Sequence, residues 1–381
     1  MPSSSAAGRR RADVSPDPGG SGRPLRLGLI GSGRIGAVHA ANLAAHPGVD
    51  FAWVADPVIE NARRLQGLYG ASATESAEQI LDDGGLDGVV VCSPTPTHVD
   101  LILAAVERDV AVLCEKPVDL DLDRARACQR AVGGAARPVM IGFNRRFDPS
   151  FAAVRQRVGA GEVGRLEQLA ITSRDPTPAP EAYIRTSGGI FRDMTIHDFD
   201  MARFFLPDIV QVTAHGANLF SQYIRDAGDY DSAVVVLAGA GGEQVTITNS
   251  RHSAYGYDQR LEAFGSDGML SAENFRPTSV RSYSSSGTGQ ADAYEPFFLE
   301  RYAAAYRAEL EHFLACIREG TAASPGIDDG VAALELAEAA AESAATGRTV
   351  AVSTGADAGA DADADAGTTG ATETKGQHSG I

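Results

Sequence analysis

Leu25-Arg-Leu-Gly-Leu-Ile-Gly31-Ser-Gly33-Arg-Ile-Gly36 is the stretch on which the fold turns. Leu25 to Ile30 reads as a buried strand, and a helix is expected from about Arg34. Between them lies a G-x-G-x-x-G pattern. Gly31 permits the tight turn, Gly33 lets the backbone approach a pyrophosphate, and Gly36 lets helix and strand pack closely. The helix N-terminus then offers amide donors and a positive dipole end to phosphates. Asp56 ends the next strand about 20 residues on, where a carboxylate binds the ribose hydroxyls and repels a 2'-phosphate. NAD is therefore expected over NADP. The competing reading, a Gly-rich turn in a fold without nucleotide, is outweighed by the flanking strand and helix.

Outward from this motif, Phe51 to Ala55, Gly88 to Cys92, Val110 to Cys114 and Val139 to Phe143 read as further apolar strands. Helical patterns separate several of them. Such alternation predicts a parallel sheet covered on both faces. After about Arg146 the texture changes. Leu166 to Ser173, Val210 to Gly216, Ser232 to Leu237, Gln244 to Thr248 and Gln259 to Phe264 follow one another as strands, many with polar-apolar alternation. A largely antiparallel sheet is expected there, interrupted by a helix around Asp193 to Phe205. Two closing helices are expected, from about Phe298 to Arg318 and from Gly330 to Thr346. The domain reading is a tail over 1–23, a nucleotide domain over 24–145, a substrate and assembly domain over 146–353, and an acidic tail over 354–381. Both tails are low in apolar residues and expected to be disordered.

The net charge is -17, of which the tails contribute +2 and -4, so the body itself carries -15. An acidic body excludes nucleic acid as the expected partner, since phosphate binding needs a basic face. Cys92, Cys114, Cys128 and Cys316 show no C-x-x-C spacing, so neither a zinc site nor a disulfide framework is expected. No apolar run reaches the roughly 18 residues of a membrane span. Arg9-Arg10-Arg11 lacks the apolar segment of an export signal, and the expected location is cytoplasmic.

Three further motifs carry chemistry. Ser93-Pro-Thr95-Pro-Thr97-His98 and Glu115-Lys116-Pro117 each follow a strand at its C-terminal end, where ligands sit in open parallel sheets. The proline holds Lys116 extended, and the lysine is expected to project towards a nicotinamide and a substrate hydroxyl. His98 reads as a structural or cofactor-side residue. In Gly188-Gly-Ile-Phe-Arg-Asp193-Met-Thr-Ile-His197, helical spacing sets Asp193 and His197 on one face, one turn apart. Gly142-Phe-Asn144-Arg145-Arg146 offers polar donors that could line a site for a hydroxyl-rich ligand, and Tyr255-Gly-Tyr257-Asp258 reads equally as polyol partners or as tyrosines packing at a sheet edge. One of Arg145 and Arg146 is expected in an interdomain ion pair, and spacing does not say which.

G-S-G-R-I-G, E-K-P and the D-x-x-x-H helix, in this order, resemble the Gfo/Idh/MocA oxidoreductases. T-S-R-D-P from Thr172, G-G-I-F-R-D-M-T-I-H-D-F-D from Gly188, Y-G-Y-D-Q-R from Tyr255, F-F-L-E-R-Y from Phe297 and A-Y-R-A-E-L ending at Leu310 are similar to its inositol 2-dehydrogenase branch. The resemblance covers about Leu25 to Val352. It implies an N-terminal Rossmann domain, then a C-terminal α/β domain whose open-faced sheet serves oligomerisation, with a homotetramer favoured. It also implies that Lys116, Asp193 and His197 carry the chemistry, with His197 as general base and Asp193 orienting it or binding a neighbouring hydroxyl. The cofactor side is expected at Gly31, Gly33, Arg34, Ile35, Gly36, Asp56, Ser93, Thr95, His98 and Glu115. The substrate side, facing a polyol, is expected at Arg146, Asp175, Thr195 and Tyr257. A sibling enzyme for another inositol isomer or an aldose is the first alternative. A silent NAD-binding regulator is the second, and retention of all three catalytic residues weighs against it.

Overall fold

Continuous apolar strands need cover on both faces, and four of the first six have it along nearly their whole length. In a computed structural model that describes residues 23–352, the six strands are β1 (Leu25–Ile30), β2 (Val49–Ala55), β3 (Ser72–Thr74), β4 (Gly88–Val91), β5 (Ala111–Glu115) and β6 (Val139–Gly142). They pair in parallel in the order β3-β2-β1-β4-β5-β6. Helices α1 (Arg34–Ala45), α2 (Ile59–Tyr69), α3 (Ala77–Leu81), α4 (His98–Glu107) and α5 (Leu122–Val132) connect them. This order reverses direction between β1 and β4, which opens a crevice at their C-terminal ends. The two expected tails lie outside the described residues, apart from Arg23.

Helix α5 was not among the expected elements. Its sequence is rich in charge, and it buries only Ala125, Cys128 and Val132. That i, i+3, i+7 stripe is the minimum an amphipathic helix needs. Asp121 starts it by accepting the amides of Asp123 and Arg124.

Helix α6 (Pro149–Gly159) leads into the second unit, capped by Asp148. There β7 (Leu166–Arg174), β8 (Ile209–Ala217), β9 (Ser232–Gly239), β10 (Gln244–Ser250), β11 (Asp258–Gly265) and β12 (Gly268–Ala272) form a sheet. The helices α7 (Glu181–Ile184), α8 (Ile196–Phe205) and α9 (Gln222–Asp226) interrupt it. Strands β13 (Arg281–Ser284) and β14 (Gly287–Ala291) make a separate hairpin, and β15 (Val350–Ala351) closes one edge. The order is β12-β11-β7-β10-β9-β8-β15. Every pair is antiparallel except β7 with β10. Alternation along β9 and β11 buries one face; Val234, Val236 and Phe264 stand exposed on the other.

The closing helices are α10 (Phe298–Arg301), α11 (Ala303–Glu319) and α12 (Ile327–Thr346). Although α11 follows the second sheet in sequence, its Leu310, Phe313, Leu314 and Ile317 pack with Leu27, Leu29 and Val90 of the first. A second apolar cluster runs from Val89 and Val112 through Phe199, Val331 and Leu334 to Val235 and Ile247. The two sheets thus share a core, and the crevice is walled by both.

Candidate active site

The glycine loop is shaped by close approach. Gly31 has φ +98, and a Cβ there would meet the Cys92 carbonyl carbon at 2.5 Å; one on Gly36 would meet the Gly31 oxygen at 2.0 Å. A Cβ on Gly33 would meet nothing within 4 Å, so the backbone lies open to a ligand. No side chain caps α1, leaving its first amides free for phosphate. Asp56 accepts the Ser32 amide at 2.8 Å through Oδ2, and the Val58 amide and Asn61 side chain through Oδ1. These bonds fix the carboxylate at the end of β2, where ribose hydroxyls can reach its remaining lone pairs. Ser32, Gly33, Arg34, Asn61 and Arg64 open onto a groove of about 710 Å³. These residues fit NAD.

The other cofactor-side residues divide. Ser93 and Thr95 lie half-buried on the loop after β4, with Ser93 Oγ 2.6 Å from Thr97 Oγ1. Arg34 stands exposed over the Phe297 ring, and Ile35 packs into the core. His98 is buried, its two ring nitrogens each 2.8 Å from a carbonyl oxygen, of Ser93 and of Pro117. It ties the loop after β4 to the loop after β5. Glu115 Oε1 is 2.9 Å from His39 Nε2, so its carboxylate faces α1 as well as the crevice. Nearby Glu309 is buried with both oxygens unpaired among the described residues. Burial, then the charge of Glu115, pushes its carboxyl well above the usual range and keeps it neutral.

Lys116 extends from β5 as expected. Its Nζ donates to the Asp193 carbonyl at 2.8 Å and lies 3.7 Å from Asp193 Oδ1. Asp193 sits in a π-helical turn, Phe191–Thr195, rather than in regular α-helix. Single π turns recur at functional sites because they re-aim side chains. Here the turn undoes the expected i, i+4 partnership. Asp193 Oδ1 accepts the Tyr183 hydroxyl at 2.8 Å and Oδ2 accepts Arg251 at 3.2 Å. No hydrogen bond links it to His197 among the described residues.

His197 lies in the first turn of α8, with its ring edge-on to Phe143 at 6.1 Å. Its Nδ1 is buried without a partner among the described residues. Burial, then the charges of Lys116 and Arg145, holds the imidazole well below its usual range. A neutral imidazole beside an ammonium is what a general base for a hydroxyl requires.

The four substrate-side expectations also separate. Asp175 follows β7, and burial and Asp193 raise its carboxyl to about 6, against the lowering effect of Arg251, Arg145 and Lys116. It therefore shares one site with those groups. Tyr257 is buried near Tyr302, and burial holds its hydroxyl well above the usual range, as a donor. Thr195 and Arg146 are corrected. Thr195 is fully buried and its hydroxyl bonds Asn249 at 2.7 Å. Arg146 donates to Asp200 at 2.6 Å and Asp329 at 2.8 Å, ion pairs that stay within 146–353, whereas the pair of Arg145, at the end of 24–145, with Asp198 crosses between the two. Arg145 is paired as well, with Asp198 at 2.6 Å and Ser173 at 2.9 Å, but lies close enough to perturb His197.

Two site residues were missed in the sequence. Tyr183 lies in the four-residue helix α7, too short to show periodicity, and Arg251 is a lone arginine just past the end of β10. Neither position carries a spacing signal. Among the described residues no cluster of three or more metal-ligating side chains occurs, and no helix is long and apolar enough to cross a membrane.

The model of an oxidoreductase family with an NAD-binding Rossmann fold matches residues 25–143, and that of the GFO/IDH/MocA C-terminal domain matches residues 151–271. An inositol 2-dehydrogenase of Rhizobium meliloti (strain 1021) is 47% identical over 317 residues, covering 83% of this chain and 96% of that protein. A myo-inositol 2-dehydrogenase of Thermotoga maritima is 41% identical over 318 residues, covering 83% and 95%. The crystal structure of a myo-inositol dehydrogenase from Corynebacterium glutamicum ATCC 13032 superposes with a TM-score of 0.85 at 59% identity, covering 87% of this chain and 99% of that one.

Proposed function

Because the chain belongs to the GFO/IDH/MocA oxidoreductases, we propose that it oxidises one ring hydroxyl of myo-inositol with NAD, giving 2-keto-myo-inositol and NADH. The observation that carries this reading is the convergence of Lys116, Asp193 and His197 beside the sheet's crevice. NAD, when bound, supplies the hydride acceptor. His197 takes the hydroxyl proton, and its neutral state leaves it free to do so. Lys116 faces the oxygen as negative charge develops there and stabilises it. Asp193 sets the position of the Lys116 ammonium through its own carbonyl and Oδ1. Asp175 and Tyr257 offer an acceptor and a donor to neighbouring ring hydroxyls.

Assembly as a homotetramer through the open face of the second sheet belongs to the same proposal. Val234, Val236, Phe264 and Met269, each more than two-fifths exposed, support it. So does a cytoplasmic location, with four buried free cysteines in keeping. The test is a panel of inositol isomers and aldoses mixed with NAD or NADP, followed by absorbance of the reduced cofactor. Myo-inositol with NAD should give the highest kcat/KM. A stronger response to another isomer or an aldose would reassign the substrate. Silence with every polyol would leave an NAD-binding regulator.

A further inference from the structure

Arg251 follows β10 and has a side chain only 1% exposed. Its Nη1 donates to Asp193 Oδ2 at 3.2 Å and its Nη2 to Asp229 Oδ2 at 3.1 Å. Asp229 is itself anchored, since its Oδ1 accepts the amides of Ile190 at 2.8 Å and Tyr230 at 2.7 Å. Ile190 immediately precedes the π-helical turn that carries Asp193. Gly189, with φ +86, leaves room for this anchor, because a Cβ there would come within 3.1 Å of Asp229 Oδ1. The arginine backbone is held too, its amide donating to the Asp231 carbonyl at 2.8 Å. The guanidinium therefore bridges the start of the π turn and its functional carboxylate from behind. In front, Asp193 meets the half-exposed Tyr183 and Lys116.

A buried guanidinium with two carboxylates is a rigid fork, and it restricts where those carboxylates can lie. We propose that Arg251 is a positioning residue for the oxidation: anchored by Asp229, it holds the Asp193 carboxylate on the Lys116 side of the site. Asp193 thereby serves the lysine rather than the histidine, in keeping with the absence of an Asp193–His197 hydrogen bond among the described residues. Arg251 also sets the charge balance of the cluster. Asp175 faces Asp193, Arg251, Arg145 and Lys116, and Arg251 is the first of the three cations that lower its titration.

This inference rests on the proposed polyol oxidation, so NADH production by the full-length wild type comes first. Arg251→Met should then lower kcat/KM for the polyol by about 10- to 10²-fold, with the Kd for NAD unchanged. The acid limb, expected near pH 6 in the wild type from Asp175, should move up by about one pH unit in the variant as Asp175 loses a cation. Arg251→Lys should restore the limb. Asp229→Asn loosens the anchor while leaving the charge on Arg251, and its limb should stay where the wild type has it. If Arg251→Met does not fold, Arg251→Gln keeps a donor without the charge and should show the same shift. A wild-type limb in the uncharged variant, or equal rate losses in Arg251→Met and Asp229→Asn without any shift, would reduce Arg251 to scaffolding. If no polyol reduces NAD, the reaction reading fails. Carboxyl-carbon NMR of Asp175 in wild type and variant then decides the Arg251 assignment alone, an unmoved titration overturning it.

Discussion

Replacing Arg146 with methionine separates a substrate contact from a buried structural clamp. The arginine makes three contacts to Asp200, at 3.1, 2.9 and 2.6 Å, and one to Asp329 at 2.8 Å. Asp200 is 1% exposed, so the substitution strands a carboxylate that water cannot reach. Breaking one partner out of such a pair costs about 3–5 kcal/mol. For a chain of this size that lowers the thermal midpoint by roughly 4–7 °C, from the usual unfolding entropy per residue. The loss has a signed pH dependence. Burial already raises folded Asp200 to about 6, while Arg146 and Arg203 pull it down. Because the folded value lies above the ordinary carboxylate value of 3.8, the folded state binds more protons between them, and stability from this group falls as pH rises through that window. Without Arg146 the folded value climbs further. The deficit of the variant should therefore be smaller at pH 5 than at pH 8. Calorimetry at both values, with KM for the polyol measured alongside, checks the reasoning. A raised KM with an unchanged midpoint would refute the clamp and return Arg146 to the substrate.

Three more outcomes follow from the site. His197→Ala should cost about 10² to 10⁴ in kcat while leaving the Kd for NAD unchanged; near-normal turnover would remove the histidine from the base role. Asp175→Asn should flatten the acid limb expected near pH 6 in the wild type, where the carboxylate is ionised above about 6 and lost below it; a limb that persists would assign it to another group. The limb of His197 itself should lie lower, since burial and two cations disfavour its protonation. Asp56→Ala should weaken NAD more than NADP, read as two Kd values by fluorescence, and an unchanged ratio would refute its part in cofactor choice.

The parallel sheet was legible because most of its strands are buried on both faces and read as unbroken apolar runs. Gly31, Gly33, Gly36 and Asp56 were legible for a related reason: backbone geometry allows few residues at those positions, so the chemistry is local. Local spacing also placed Lys116 at a strand end. It failed at Asp193 and His197, where a regular helix was the natural expectation. Nothing in the sequence marks Phe191–Thr195 as a π turn, because the side-chain bonds that hold it come from Asp229, in the loop before β9, and Asn249 of β10. It failed equally at Arg145 and Arg146, adjacent residues of one type whose carboxylate partners lie more than 50 residues away.

The sequence by itself determined the dinucleotide-binding fold and the two-sheet architecture, and it singled out Lys116, Asp193 and His197 as the catalytic candidates, since each depends on short-range pattern or motif. The tertiary structure decided which partner each charged group takes. It gave Asp193 to Lys116, Tyr183 and Arg251, left His197 neutral, and assigned Arg146 to Asp200 and Asp329. It also laid α11 on the sheet of the first domain. Those outcomes depend on distances and burial across the fold, which set the sign and size of electrostatic effects and leave no local trace in the order of residues.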